Sequence, residues 1–132
     1  MMTPPPGRRA LVTGSVQGIG YAIAEALAAE QCHILLHGLG TPDQFAESAA
    51  KLKAAGALSV TSYTHNLRDG DQVALLMKEV LAAGPLDILV NNAGIQKTAP
   101  IAEMPAADWD NIIAINLSSA FHTMHAALPG MA

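Results

Sequence analysis

The sequence predicts an α/β chain in which a parallel sheet is wound with helices on both faces. Three observations predict it. Short apolar runs alternate strictly with stretches whose apolar residues recur at helical spacing, the pattern of βαβ units. The stretch "LVTGSVQGIG", residues 11 to 20, sets glycines at 14, 18 and 20 between the first apolar run and the first helical stretch. "LDILVNN", residues 86 to 92, is apolar almost throughout, as a strand covered on both faces should be.

Taken in order, "RRALVTG" reads as the first strand. Ile19, Ala22, Ile23, Ala26 and Leu27 then recur as one apolar helix face. "HILLHG" is the second strand. "TPDQFAESAAKLKAAG" opens on helix-start chemistry, Thr41 followed by Pro42, and closes on Gly56. "LSVTSYT" is the third strand, and Val73, Leu76, Met77, Val80 and Leu81 mark a third helix stopped by Gly84-Pro85. After the fourth strand, "LDILVNN", a long helix starts near Asp108. It aligns Trp109, Ile112, Ile113, Leu117, Ala120, Phe121 and Met124 on one stripe. Four strands and four helices alternate, with right-handed crossovers expected. Residues 1–7, with three prolines, read as a flexible leader, and residues 8–132 as one domain.

Composition narrows the function. At 132 residues the chain holds one domain, and 51% apolar with 14% charged residues argues for a folded core. A net charge of −4 gives no general attraction to nucleic acid or anionic membranes, and five aromatic residues offer no stacking platform for single strands. Neither a nucleic-acid nor a membrane partner is expected. Cys32 is the single cysteine, so it reads as a small buried hydrophobe and not as part of a disulfide or metal site. His33 and His37 flank the second strand without ligand spacing, and no metal is expected. The N-terminus lacks the apolar segment of a signal peptide, and no run approaches the ~20 residues of a membrane span; a cytoplasmic location is expected.

The glycines have a mechanical reason. A phosphate can approach the backbone only where no Cβ intrudes, and glycine also permits the positive φ of a tight turn. The amides of the following helix N-terminus then face the anion. Between strand one and helix one, "TGSVQGIG" therefore reads as a pyrophosphate cradle made by Thr13, Gly14, Ser15, Gln17, Gly18, Ile19 and Gly20.

The spacing G-x-x-x-G-x-G of "TGSVQGIG" resembles the fingerprint of the short-chain dehydrogenase/reductase family, and "NNAG" at 91 to 94 is similar to that family's second signature. The resemblance runs from about residue 8 to the last residue. "HGLG", "VNNAGIQKTAPI" and "INLSSAFHTMHAALPGM" resemble the branch of D-3-hydroxybutyrate dehydrogenases. It implies a Rossmann-type fold and hydride transfer between a nicotinamide dinucleotide and a secondary alcohol, such as a small hydroxy acid, or its ketone.

Such domains usually carry an acid about 20 residues past the glycines for the ribose 2′-hydroxyl. Here "HGLG" has neither acid nor arginine, and "TGSVQGIG" has no cation for a 2′-phosphate, so NAD is expected over NADP. The resemblance implies that Leu39 packs beside the adenosine ribose and that Asn66 and Leu67 contact the adenine. Asn66 stands where the family often has Asp, and its amide oxygen can still accept a hydrogen bond. Asn92, Ala93 and Gly94 are implied near the cofactor, with Asn91 mainly structural.

Asn116 falls between Ile113 and Leu117 on the expected buried stripe, so its amide should be hydrogen-bonded to backbone or water. Standing alone it could be a helix-bend residue. By resemblance it is the asparagine of a catalytic tetrad, holding a water that relays protons to a lysine. Gln96 resembles the side chain that hydrogen-bonds a substrate carboxylate; an ordinary solvated glutamine is the alternative. Lys97, His122 and His125 read as surface or interface residues.

The family's chemistry needs a serine, a tyrosine and a lysine four residues after the tyrosine. This sequence has Tyr21 and Tyr63, and neither has lysine four positions later. The resemblance implies that this set follows the present C-terminus in relatives about twice as long, so the fold is expected to be truncated after the fourth strand and its helix. Two readings stay open: a dehydrogenase whose remaining half is supplied elsewhere, and a non-catalytic dinucleotide-binding or interaction fragment. A homo-oligomer formed through the last helix is expected.

Overall fold

The computed structural model describes residues 7–132. The expected leader lies outside the described residues except for Gly7. In chain order the elements are β1 (Arg9–Val12), α1 (Gly18–Ala29), β2 (His33–His37), α2 (Pro42–Ala55), β3 (Ser59–Tyr63), α3 (Gly70–Ala82), β4 (Ile88–Val90), α4 (Ala106–Ile113) and α5 (Ser119–Met131). A π-helical turn, Ala114–Ser118, joins α4 to α5. The four strands form one parallel sheet in the order β3-β2-β1-β4, the doubly wound arrangement the sequence predicts. Val12 lies beside both Leu36 and Val90, so the carboxyl ends of β1, β2 and β4 come level. The chain reverses its winding direction between β1 and β4, which opens a crevice at that end of the sheet.

The strands alternate their side chains between two cores. Ala10, Val12, Ile34 and Leu36 pack with Ala24 and Ala28 of α1 and Phe45 and Leu52 of α2. Leu11 and Leu35 point the other way, against Val73, Leu76, Met77 and Val80 of α3 and Ala127 of α5. Each fully buried Leu contributes roughly 1.5–3 kcal/mol, so β1 and β2 anchor both layers at once.

Helix ends follow their local chemistry. Thr41 Oγ1 accepts from the Gln44 amide while the Gln44 side chain accepts from the Thr41 amide, a complete capping box. Gly56, at φ 124°, ends that helix. The C-terminal carbonyls of α3 are covered from β1: the Arg9 guanidinium donates to Val80 O at 3.0 Å and to the carbonyls of Gly84 and Pro85. Cys32 is buried.

Three expectations are corrected. The buried stripe of α1 is Gly20, Ala24 and Ala28, while Ile19 is 76% exposed and Ala22 and Ala26 face outward. Small residues hold this face because the helix lies close against the glycine turn, and Ile23 and Leu27 only flank it. β4 is three residues long and half-buried on both faces, since among the described residues it pairs with β1 alone. The last helical segment begins at Ala106, and its expected apolar stripe does not point inward: Trp109, Leu117, Phe121 and Met124 are exposed. The π turn holds an extra residue per turn and rotates α5 relative to α4, so Ser119, Thr123 and Ala127 face the core instead. No helix among the described residues is long and apolar enough to cross a membrane.

Candidate dinucleotide site

Thr13 sits at the end of β1 with its side chain buried. Its Oγ1 accepts from the amides of Asn92 and Ala93 at 3.1 and 3.0 Å, stitching the glycine turn to the segment after β4. Asn92 returns the tie, donating Nδ2 to the carbonyls of Thr13 and Gly14 at 3.3 and 3.0 Å. Ser15, fully buried, binds across to β2: its amide donates to His37 O at 2.6 Å and its Oγ accepts from the His37 amide at 3.0 Å. The turn is thereby held on both flanks by neighbouring strands.

Within this frame the backbone turns through left-handed geometry at Gly14 (φ 61°) and Gly18 (φ 67°). A Cβ on Gly18 would meet nothing within 4 Å, so this glycine faces open space. A Cβ on Gly20 would run into the Gly14 carbonyl, so helix and turn approach as closely as backbones can. The N-cap of α1, Gln17, makes no side-chain capping bond and no acidic residue occupies the first turn. These first-turn amides are therefore free to meet an anion, with the helix dipole behind them.

The crevice beside the turn is a cavity of about 410 Å³. Of the residues singled out from sequence, Gly14, Gln17, Leu39, Asn66 and Leu67 line it, as do Asn92, Ala93 and Gly94. Leu39 is 75% exposed at the rim, whereas Leu67 is buried beneath. Asn66 turns its Oδ1 onto the Arg68 amide at 3.0 Å. Thr13 and Ser15 lie behind the wall as its braces, and Gly18, Ile19 and Gly20 form the helix entrance next to it.

Asn116 is not on a buried face, which corrects the sequence reading. It lies in the π turn, exposed, and its amide clasps one peptide: Oδ1 accepts from the Ile95 N–H and Nδ2 donates to the Ile95 carbonyl, both at 2.8 Å. Gln96 comes directly after that peptide and is exposed, outside the cavity wall. Lys97 pairs with Asp108 at 3.0 Å, so the segment carrying Gln96 is tethered on either side. Asn91 receives the Thr123 hydroxyl at 2.6 Å and ties β4 to α5.

Sequence reasoning misses His37. It is 3% exposed, lines the cavity, and hydrogen-bonds through both ring nitrogens: Nδ1 to the Gly14 amide at 3.1 Å and Nε2 to the His65 carbonyl at 2.9 Å. Burial pushes the imidazole below its usual pKa. A polar residue at the end of an otherwise apolar strand is the signal that could have found it. No group of three or more His, Cys, Asp or Glu residues among those described could hold a metal ion.

The site fits a dinucleotide: an open glycine at a helix entrance, uncapped amides and an adjoining crevice at the carboxyl ends of the strands. Comparison with known proteins agrees. The family model described as short chain dehydrogenase matches residues 8–132. D-beta-hydroxybutyrate dehydrogenase of Cupriavidus necator is 45% identical over 126 residues, which cover 95% of this chain and 48% of that protein. The enzyme of the same name from Rhizobium meliloti is 39% identical, covering 94% of this chain and 48% of that one. Among solved structures, a metagenomic short-chain oxidoreductase in complex with NADP superposes with a TM-score of 0.89 at 34% identity, over 96% of this chain and 57% of that chain. A 3-oxoacyl-(acyl-carrier-protein) reductase from Agrobacterium tumefaciens with NADP bound gives 0.87 at 36% identity, over 96% and 48%. The chain spans about half the length of the curated relatives it matches. On the match across residues 8–132 and the sheet, turn and crevice it accompanies, the chain belongs to the short-chain dehydrogenase family.

Proposed function

We propose that this chain is the dinucleotide-gripping half of a cytoplasmic, NAD-dependent oxidoreductase that acts on a secondary alcohol such as 3-hydroxybutyrate. The observation that carries the reading is the open glycine at the entrance to α1, braced by Thr13, Ser15 and Asn92. The bound cofactor would supply the hydride acceptor or donor. The chain's own residues do the rest of the binding: the amides around Gly18 to Gly20 receive the pyrophosphate, Leu39 covers the ribose, and Asn66 and Leu67 border the adenine. NAD is favoured because Gly38, Leu39 and Gly40 at the end of β2 offer neither arginine nor lysine for a 2′-phosphate. The relatives with NADP bound make this a point to measure. The hydroxybutyrate reading rests on the two hydroxybutyrate dehydrogenases named above and on Gln96, whose amide is free to receive a carboxylate.

A specific observation favours the second reading, a non-catalytic dinucleotide-binding fragment, for these 132 residues alone. An acid–base tyrosine needs a lowered pKa. Burial pushes the Tyr63 phenol up, and partial desolvation with the Glu25 carboxylate does the same to Tyr21. Assembly with a second copy through the exposed face of α5 is part of the proposal, supported by Leu117, Phe121, Met124 and Leu128 standing exposed along it.

The test is a titration of the chain with NADH and NADPH by fluorescence, beside NAD reduction with D-3-hydroxybutyrate. NADH binding tighter than NADPH, without turnover, is the expected result. Absence of binding to either would overturn the dinucleotide reading; tighter NADPH binding would overturn the NAD assignment.

A further inference from the structure

His37 occupies a position from which it can decide whether the cradle is intact. A backbone N–H can only donate, so the Gly14 amide requires His37 Nδ1 to be a bare acceptor. A carbonyl can only accept, so the His65 oxygen requires Nε2 to carry the proton. Both partners select the same form, the neutral Nε2–H imidazole. A proton added at Nδ1 would set two N–H groups against each other inside a site that is 3% exposed. The turn could then persist only by moving Gly14, whose left-handed φ of 61° begins the glycine turn.

We propose that His37 is a positioning residue of the dinucleotide site: as the neutral Nε2–H tautomer it holds the Gly14 amide in place, and its protonation releases the glycine turn and weakens cofactor binding. The inference rests on the dinucleotide reading given above.

The surroundings determine where this happens. The glycine turn, residues 13–17, contributes no ionisable side chain. From the β3 side come Tyr63, whose burial keeps its phenol neutral, and His65, whose carbonyl receives Nε2–H. His65 in turn faces Glu79 of α3, with Nε2 and the carboxylate 3.2 Å apart, while its Nδ1 is buried without a partner. A protonated His65 would repel a proton on His37, in the same direction as burial. A group whose folded pKa is depressed keeps its neutral-form contacts from the unfolded value down, and loses them as pH falls through the folded value. The cradle should therefore be whole above about pH 6.5, the ordinary histidine value, and open at some point below it.

The experiment has two arms on the 132-residue chain. In the first, the Gly14 amide and the His37 ring nitrogens are followed by NMR from pH 8 to pH 5 without cofactor. The expected result is an Nε2–H tautomer at pH 8 and a Gly14 amide shift that moves on the His37 titration curve. An Nδ1–H tautomer, or a Gly14 amide indifferent to that titration, overturns the proposal. In the second, NADH affinity is measured over the same range for the wild type, His37→Asn and His37→Phe. Wild-type Kd should rise about tenfold per pH unit below the His37 pKa. Asparagine, with an acceptor where Nδ1 stood and no titration, should bind better than phenylalanine and lack the acid limb. An unaltered acid limb in His37→Asn overturns the proposal. Absence of wild-type NADH binding at pH 8 overturns the dinucleotide reading, and with it the cofactor half of this proposal, while the first arm still decides the turn.

Discussion

Asn116 and Ile95, twenty-one residues apart, are joined by a pair of 2.8 Å hydrogen bonds that use both polar atoms of the asparagine amide and both of the isoleucine peptide. The clasp satisfies backbone that no strand or helix would otherwise pair, just before Gln96. Replacing Asn116 with alanine removes both bonds at an exposed site, which should cost about 1–2 kcal/mol in urea unfolding. The Ile95 amide should lose its protection from hydrogen exchange while amides of β1 keep theirs. Unchanged Ile95 protection would count against the clasp.

The glycines of the turn should respond differently to substitution. Gly18→Val adds a side chain to open space, so its stability penalty is confined to the left-handed φ, roughly 1–2 kcal/mol. NADH binding should nevertheless be abolished, because the side chain stands where the phosphate approaches. Gly20→Ala sets a methyl against the Gly14 carbonyl and should cost about 3 kcal/mol or more by overpacking. Calorimetry and NADH titration on the two variants separate these effects; equal losses of affinity and stability in both would sink the distinction.

Thr13→Val keeps the shape of the side chain and removes the oxygen that receives the Asn92 and Ala93 amides. Part-buried donors left without a partner cost on the order of 1–3 kcal/mol, so a lower urea midpoint with an unchanged slope is expected. Thr13→Ser, which keeps the oxygen, should recover most of the loss.

Phe121 is 57% exposed on α5, flanked by His122 and His125 at ring-centroid distances of 5.3 and 5.4 Å. Phe121→Glu should change monomer stability by no more than about 0.5 kcal/mol, as for other surface sites. In sedimentation velocity it should shift the chain toward a smaller species. An unaltered sedimentation profile would remove α5 from any interface.

The order of strands, the capping box on Thr41 and the glycine turn are legible in the sequence because each depends on residues close along the chain. Thr41 and Gln44 are three apart, and the turn is read from three glycines. The inward face of α1 is not legible from apolar spacing, since closeness to the turn selects Gly20 and Ala24 over Ile19. A 3.6-residue period places Asn116 on a buried stripe, and the π turn breaks that period. His37 escapes a sequence reading because its partners, Gly14 and His65, lie 23 and 28 residues away along the chain. The tertiary fold alone brings them together.

The π turn at Ala114–Ser118 also constrains how the gene can change. An α-helix advances about 100° per residue, so a single-codon deletion within these five positions, by restoring regular winding, would swing the downstream helix through more than a quarter of a circle. Thr123 would leave Asn91, and Ser119 and Ala127 would be replaced against α3 by bulkier neighbours. Substitutions in this stretch can be absorbed one at a time; a change in its length cannot. The spacing between Asn116 and Thr123 is thus expected to tolerate changes of letter and to reject changes of count.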